Sequence, residues 1–573
     1  MSEPRRILSA FDYTDVDLLP GRWRDRVDHA RNYYLAIPDD DILHGWRRAA
    51  GLPAPGRPLG GWCAENSDQV FGQWLSGMAR LYRSTGDDAL RDKASLLVRE
   101  WERTIGDDGD TGMRLYAYDK LLCGLVDLKL YAGMDTVPLI DRTLGHVMAT
   151  WSRDRIPARP DLINGEPSEW YTFPENLYRA YELTGDERHR SFAESYHYDD
   201  YWNRFLDSPS PSDVHHKHAY SHVNTLSSVA KAYEVSGDER YLMIARNAFD
   251  YLQTTQCYAT GGYGPMERLV PPDGTLGRSI EARANTFEAV CGTWAGFKLA
   301  RYLTELTGEP RYGDWAERLF YNGVGSALPI TDDGKHFYYA DYRLAGGVKV
   351  YKVSRYSCCS GTYIQNAADY RNLIYFHDAS SLAVSLYVPS EVTWSVGEDT
   401  VTVRQETAYP EEETVRFTVF TRRATRIALK LRVPGWSSGM EISVNERPAD
   451  VRTASERWAE IDRAWNNGDT VTARIPLPAR MEPIDRQHPR RVAVVRGPVV
   501  LALDDWWMDP VPRLPEPQEA ARRIVPDVAP GVMRIVDPDG SSPNPKFRPY
   551  YSIVEAAAYR IYHDLDDLPI PVW

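Results

Sequence analysis

Two textures of hydrophobic patterning divide the chain near residue 375. Before it, apolar positions recur in amphipathic runs that end on one phrase: Leu81-Tyr-Arg-Ser-Thr-Gly86-Asp87, Ala180-Tyr-Glu-Leu-Thr-Gly185-Asp186, Ala232-Tyr-Glu-Val-Ser-Gly237-Asp238 and Leu303-Thr-Glu-Leu-Thr-Gly308-Glu309. A charged helical stretch such as Glu187–Ala193 or Glu239–Ala245 follows each. Glycine accepts the left-handed conformation that ends a helix, and the acid beside it opens the next, so the phrase predicts a helix-hairpin turn. The glycines lie 99, 52 and 71 residues apart, a spacing that suits hairpins of about fifty residues with one copy degenerated. Repeated α-hairpins stack as an open solenoid or close into an (α/α)6 barrel. The long, polar, aromatic-rich loops Asn164–Glu175 and Ser208–His222 favour a barrel with a site at one mouth.

After residue 375 apolar and polar residues alternate in short runs: Leu382–Val388, Val401–Arg404, Val415–Phe420, Ile427–Val433 and Thr470–Ile475. Turn residues separate them, as in Pro434-Gly-Trp-Ser and Asn466-Asn-Gly-Asp469. Strands at this spacing predict an antiparallel sandwich. The tail adds one apolar strand (Arg491–Leu503), Pro-rich loops and a strand-like Tyr559–His563. The expected fold class is multidomain α+β: an (α/α)6 barrel over residues 1–374, then an antiparallel β-sandwich over 375–490. Residues 491–573 form either a second small sandwich or a return to the first.

A chain of 573 residues exceeds what one core supports and leaves room for a deep pocket. Its net charge of −14 offers no positive field to gather phosphates. Nucleic acid and membrane are therefore not expected as partners, and an oligosaccharide or small glycoside meets no opposing charge. The 17 Trp and 36 Tyr suit pockets that stack on sugar faces, and equally suit a large aromatic core. No apolar run of signal length follows Arg5-Arg6 and no run of 18 apolar residues occurs. The expected location is cytoplasmic, with the six cysteines as thiols.

Cys358-Cys359 is the strongest local chemical signal: neighbouring cysteines strain as a disulfide but can both reach one soft ion. Cys291 and Glu288, three apart, share one face if their segment is helical. Three thiolates and a carboxylate make a tetrahedral zinc set; three buried thiols without metal are the alternative. Gly261-Gly-Tyr-Gly-Pro-Met-Glu267 is a glycine-rich loop that presents an acid. Glu166, Glu169 and Glu175 flank Trp170-Tyr171, although single carboxylates are commonly solvated or capping. His215, His216, His218 and His222 cluster without the i, i+4 spacing of a metal pair; His222 suits a sugar hydroxyl or a structural role.

The ordered motifs resemble the β-L-arabinofuranosidases of glycoside hydrolase family 127 and the related family 146, with this chain a divergent member. The resemblance runs from about Leu18 to the C-terminus. In the barrel it includes Leu43-His-Gly-Trp-Arg, Gly51-Leu-Pro53, Gly60-Gly-Trp62, His222-Val-Asn-Thr225, Gly261-Gly-x-x-x-x-Glu267, Tyr321-Asn-Gly-Val324, Gly334-Lys-His-Phe-Tyr-Tyr339 and Cys358-Cys359. In the sandwich it includes Leu431-Arg-Val-Pro-Gly-Trp436, Gly468-Asp469 and Arg496-Gly-Pro498. It implies retaining hydrolysis with one zinc ion held by Glu288, Cys291, Cys358 and Cys359, Cys358 as nucleophile and Glu267 as acid/base. His222, Tyr338 and Tyr339 would hold sugar hydroxyls, with Trp170, Tyr171, Glu175 and His218 as further substrate contacts. The implied substrate is a terminal β-linked L-arabinose or a similar pentose or deoxy-sugar, removed in an exo mode; relatives make a homodimer possible.

Three departures from the family pattern stand out. The position two before Cys291 is Ala289 rather than Glu, and one residue of offset turns a helical side chain by about 100°. Glu288 then reaches the metal through a local irregularity, or the zinc site is altered. Ser360-Gly361 replaces a common Pro pair, and the offset of 24 residues from Glu267 to Cys291 makes a longer lip. Helical barrels also host uronate lyases and sugar epimerases that use His or Tyr, for which His218, His222 and the tyrosines are candidates. A non-catalytic sugar-binding protein would need neither Glu267 nor the cysteine pair.

Overall fold

The structure is a computed structural model and describes residues 5–151, 153, 169–208, 211, 214–504, 514–536 and 546–566. Glu166, and parts of the loops that start at Asn164 and Ser208, lie outside these residues. Six inner helices, Asp68–Thr85, Leu115–Ala132, Pro174–Thr184, Ala219–Ser236, Ala289–Thr307 and Cys358–Asp369, pack neighbour to neighbour. The last packs against the first, so the ring closes as a barrel rather than opening as a solenoid. Outside it lie Arg22–Ala36, Asp88–Glu102, Val137–Thr150, Glu187–Ser195, Glu239–Thr255 and Tyr312–Arg318, each packed on the inner ring.

The recurring phrase is the hairpin turn. Gly86, Gly185, Gly237 and Gly308 cap their helices in the left-handed conformation. The Thr or Ser before each glycine donates to the carbonyl four residues back and accepts the N–H two residues ahead. Asp87, Asp186 and Asp238 then cap the next helix by accepting from Ala89, Arg188 and Arg240 N–H. Glu309 does not; it pairs with Arg246 and Arg311, and the following helix starts at Tyr312. The degenerated copy is at Gly133, which ends Leu115–Ala132 in the same conformation.

The inner helices are buried on almost every face; each residue from Ala219 to Glu234 is buried. Charged residues buried on the inner helices are therefore paired. Arg80 joins Asp127 (2.8 Å) and Asp369 (2.9 Å) across three inner helices. Lys120 meets Asp119 and Lys298 meets Glu175, lining a polar cavity of about 500 Å³. A Cβ on Gly72 would lie 2.2 Å from the Lys120 carbonyl, so the first two inner helices touch backbone to backbone.

Beyond the barrel, one sheet orders the strands Ser9–Ala10, Tyr375–His377, Ser381–Val384, Thr425–Val433 and Arg457–Trp465. A second orders Arg447–Pro448, Glu441–Val444, Thr470–Arg474, Thr414–Thr421, Asp399–Thr407, Ser390–Val396 and Val16–Leu18. Alternating burial along Asp399–Thr407 and Thr414–Thr421 marks inner and outer faces. Residues 9–18 thus enter the two sheets before the chain begins its helices. A third sheet joins Ala479–Pro483, from the stretch expected in the first sandwich, to strands of the tail in the order Ala479–Pro483, Arg491–Arg496, Val499–Leu503, Lys546–Pro549, Met533–Ile535 and Ile524–Pro526, with Tyr562–Asp564 also on Arg491–Arg496. The stretch expected as one strand, Arg491–Leu503, is a hairpin, because Gly497 turns the chain at φ 57°. The tail also grips the barrel. Ala558–Tyr559 pairs with Gly347–Val348, and the buried Lys349 amine donates to Ser326 O (2.8 Å) and Tyr550 O (2.7 Å). Among the described residues no helix is long and apolar enough to cross a membrane.

Candidate active site

Two inner helices point their N-termini at one place. Cys291 lies in the first turn of Ala289–Thr307, and Cys358 and Cys359 open Cys358–Asp369. Unpaired N–H groups and the helix dipole there favour thiolate over thiol. Glu288 is not helical: it ends the two-residue strand Phe287–Glu288, which pairs Glu288 with Tyr339 and Phe287 with Ala340. Ala289 N–H donates to Tyr338 O (2.9 Å). The helical offset feared from Ala289 is thereby removed, since extended backbone (φ −75°, ψ 86°) aims the Glu288 side chain.

The result is one buried cluster. Glu288 Oε1 lies 3.3 Å from Cys358 Sγ and 3.6 Å from Cys359 Sγ, and Cys291 Sγ lies 3.4 Å from Cys359 Sγ. These four residues could hold a metal ion, one donor atom of each lying within 4.8 Å of the others. Glu288 Oε2 is buried without a hydrogen-bond partner. Burial, and then charge on Cys358, push the Glu288 carboxyl well above its ordinary value. Hydrogen bonds from Cys291 and Cys359 hold Cys358 well below that of a free thiol, while burial raises the other two. Of the three thiols, Cys358 carries the negative charge first.

Glu267 stands beside the cluster on a strained turn. Met266 and Glu267 both adopt positive φ (54° and 60°), at a cost on the order of 1–2 kcal/mol each. Met266 N–H donates to Asn285 O (2.8 Å). The carboxylate accepts from Tyr339 Oη, and its Oε2 lies 3.4 Å from His218 Nε2. Burial would raise its pKa, but these two contacts overcome it and hold the carboxyl below the usual range. His218 Nδ1 lies 2.5 Å from Glu169 Oε1. Burial disfavours the imidazolium, yet Glu169 lifts its pKa well above the ordinary value. In the resting arrangement the proton of this pair sits on His218. Tyr338 Oη lies 3.6 Å from Cys358 Sγ.

The other expected contacts are placed differently. Glu175 does not join the cluster: its carboxylate is committed to Lys298 and to Tyr302 Oη (3.1 Å) in the polar cavity. Trp170 is wholly buried, with Arg153 3.8 Å over its ring. Tyr171 bonds Ser221 Oγ (2.7 Å), and its ring lies 4.4 Å from that of His222, tilted by 43°. His222 is fully buried, its Nδ1 2.8 Å from His218 O; burial holds it neutral. Tyr116 and Tyr220, not anticipated from the sequence, couple electrostatically to Glu169 and the thiols. No local spacing marks either one.

A closed helical barrel that presents thiols and carboxylates at the N-terminal ends of its inner helices defines the class. Residues 15–112 and 108–372 match the family model described as beta-L-arabinofuranosidase, GH127 catalytic domain, and residues 381–477 match the GH127 middle domain. The chain belongs to glycoside hydrolase family 127. The non-reducing end beta-L-arabinofuranosidase of Bifidobacterium longum subsp. longum is 25% identical over 295 residues, which are 48% of this chain and 43% of that protein. The match thus spans less than half of the curated relative. A GH127 beta-L-arabinofuranosidase from Geobacillus stearothermophilus T6 superposes with a TM-score of 0.71 at 22% identity over 96% of this chain and 99% of its own. A GH127 beta-arabinofuranosidase structure gives 0.74 at 18% identity over 98% of both chains. These two likenesses bear on the fold.

Proposed function

We propose that the chain is an exo-acting retaining glycoside hydrolase that removes a terminal β-L-arabinofuranosyl or similar unit from an oligosaccharide or small glycoside. The observation that carries this reading is the meeting of Glu288 and three thiols at two helix N-termini, with Glu267 held beside them. Sulfur ligands about 2.3 Å from a tetrahedral zinc lie roughly 3.8 Å apart. The sulfur–sulfur spacing of 3.4 Å between Cys291 and Cys359, the Glu288 oxygen–sulfur spacings of 3.3 and 3.6 Å and the orphaned Glu288 Oε2 fit that ion, which Glu288, Cys291, Cys358 and Cys359 would hold. When bound, zinc keeps its cysteine ligands as thiolates at neutral pH.

The chain's own groups suffice to describe the exchange. Cys358 Sγ attacks the anomeric carbon as the bond to the leaving oxygen breaks. Glu267 supplies that oxygen with a proton, which it draws from His218 Nε2. Water then displaces sulfur from the anomeric carbon and gives its proton back to Glu267. Tyr339 fixes the carboxyl during both steps. A site at the mouth of a closed barrel suits removal of one terminal unit.

Proton NMR of the first-formed sugar tests the reading, because retention is expected at the anomeric carbon; inversion would refute a covalent intermediate. Elemental analysis should find near one zinc per chain in the parent and less in Cys358→Ala. Zinc absent from both would remove the thiolate mechanism.

A further inference from the structure

Next to the reacting groups sits a cation without an anion. Lys352 Nζ lies 3.4 Å from the Tyr338 ring centroid, 5.0 Å from that of Trp62 and 5.3 Å from that of Tyr339. Tyr338 reaches Cys358 and Tyr339 reaches Glu267, so Lys352 stands one side chain away from both. Among the described residues Lys352 forms no ion pair, whereas Lys120, Lys231 and Lys298 of the barrel interior each do. Rings on several sides attract the ammonium but leave its hydrogen-bond donors for a ligand.

Trp62 adds a platform. It is 41% exposed, yet its backbone is clamped: its N–H donates to Arg355 O (3.1 Å). Gly61 beside it, at φ 58°, approaches so closely that a Cβ would fall 2.3 Å from Arg355 O. That contact ties the turn to the segment leading into Cys358. A large exposed ring on a fixed turn is a stacking surface rather than a stray core residue. Val350 and Val353 beside Lys352, and Met266 beside Glu267, are exposed as well, adding apolar side chains to the segments that carry these groups.

We propose that Trp62 and Lys352 form the leaving-group subsite and that the departing unit is a sugar acid. Its C–H face stacks on Trp62 while its carboxylate takes the Lys352 ammonium. Glu169, Glu267 and Glu288 gather around the reacting groups, whereas the described residues give the Lys352 ammonium no carboxylate, so the acid is placed at this rim. The proposal rests on Cys358 and Glu267 as the reacting pair. If Lys352 merely offset the charge of the cluster, it would confer no preference between charged and neutral leaving groups.

Two measurements on the parent, Trp62→Ala and Lys352→Met decide it. Ligand-observed NMR titration with a methyl hexuronide and the matching uncharged methyl hexoside needs no turnover. The parent should bind the hexuronide about tenfold more tightly, Lys352→Met should abolish that difference, and Trp62→Ala should weaken both ligands. Equal affinities in the parent, or a preference that survives Lys352→Met, overturns the subsite. Next, kcat/KM is compared for a β-L-arabinofuranosyl hexuronide and its hexoside counterpart. Lys352→Met should lower the ratio of the two about tenfold. Hydrolysis of both by the parent without preference refutes the subsite alone. Hexuronide binding without hydrolysis of either glycoside supports the subsite and refutes the Cys358–Glu267 reading.

Discussion

Replacing His218 by Gln should move the basic limb of the pH–rate profile to lower pH. In the parent, the imidazolium stands between Glu169, 2.5 Å from Nδ1, and Glu267, 3.4 Å from Nε2. Those carboxylates keep it protonated against burial, so the pair retains the transferable proton well above the ordinary histidine range. Gln keeps a donor but carries no charge. A hydrogen bond involving a charged group is worth about 1.5–3 kcal/mol. At 3.4 Å, with the Glu267 side chain 27% exposed, the lower end applies. The Glu267 carboxyl therefore rises as burial gains the upper hand, and without the imidazolium the pair gives up its transferable proton at lower pH. The rate on a glycoside with a poor, alkyl leaving group should fall about tenfold for each pH unit above the shifted limb. An activated aryl glycoside, which needs little protonation, should fall less. The assay is kcat/KM for both substrates across about pH 4 to 9. A limb that does not move, or equal losses on both substrates, would refute the proton relay.

Three further outcomes concern the scaffold. Arg80→Met leaves Asp127 and Asp369 buried with one cation fewer and should cost about 3–5 kcal/mol, read as a lower denaturant midpoint that Asp369→Asn partly restores. Gly72→Ala drives a Cβ to 2.2 Å from the Lys120 carbonyl and should destabilise by about 1–3 kcal/mol. Gly145→Ala, with open space at its Cβ, should instead stabilise by roughly 0.5–1 kcal/mol; similar melting shifts for the two would contradict the packing. Burial lowers the His563 pKa to about 3, so the unfolded chain binds an extra proton between that value and about 6.5. Its contribution is complete above that window and lost as pH falls through it. The melting temperature of His563→Phe should consequently drop less steeply than that of the parent on going from about pH 7 to 5.

The helical half was legible because its turns are punctuated chemically. Thr85-Gly86-Asp87 and its copies at Gly185 and Gly237 carry a hydroxyl, a left-handed glycine and a capping acid in consecutive positions, and the copy at Gly308 keeps the first two. At Gly133 the hydroxyl and the acid are missing, so that turn was inferred only as a gap. The longer strands announced themselves by alternation, whereas Ser9–Ala10 and Val16–Leu18 are too short to show a period. At the site the cysteine set was readable, but the aim of Glu288 depends on Tyr339, a partner 51 positions later with no local trace. The same holds for Glu175, expected as a substrate contact but committed to Lys298 on another inner helix. Contacts of this kind arise from closure of the ring and are invisible to spacing.

The pairing of Ala558–Tyr559 with Gly347–Val348 bears on how the molecule is made. The segment that carries Lys352 gains its final support only after some two hundred further residues have been synthesised, and residues 9–18 wait for strands that begin at 375 and 390. A ribosome-bound chain can close its helical ring long before the mouth of that ring is braced. Bracing of the mouth would then lag behind closing of the ring, and removing the Ala558–Tyr559 strand would take that support from a barrel that had lost none of its own helices.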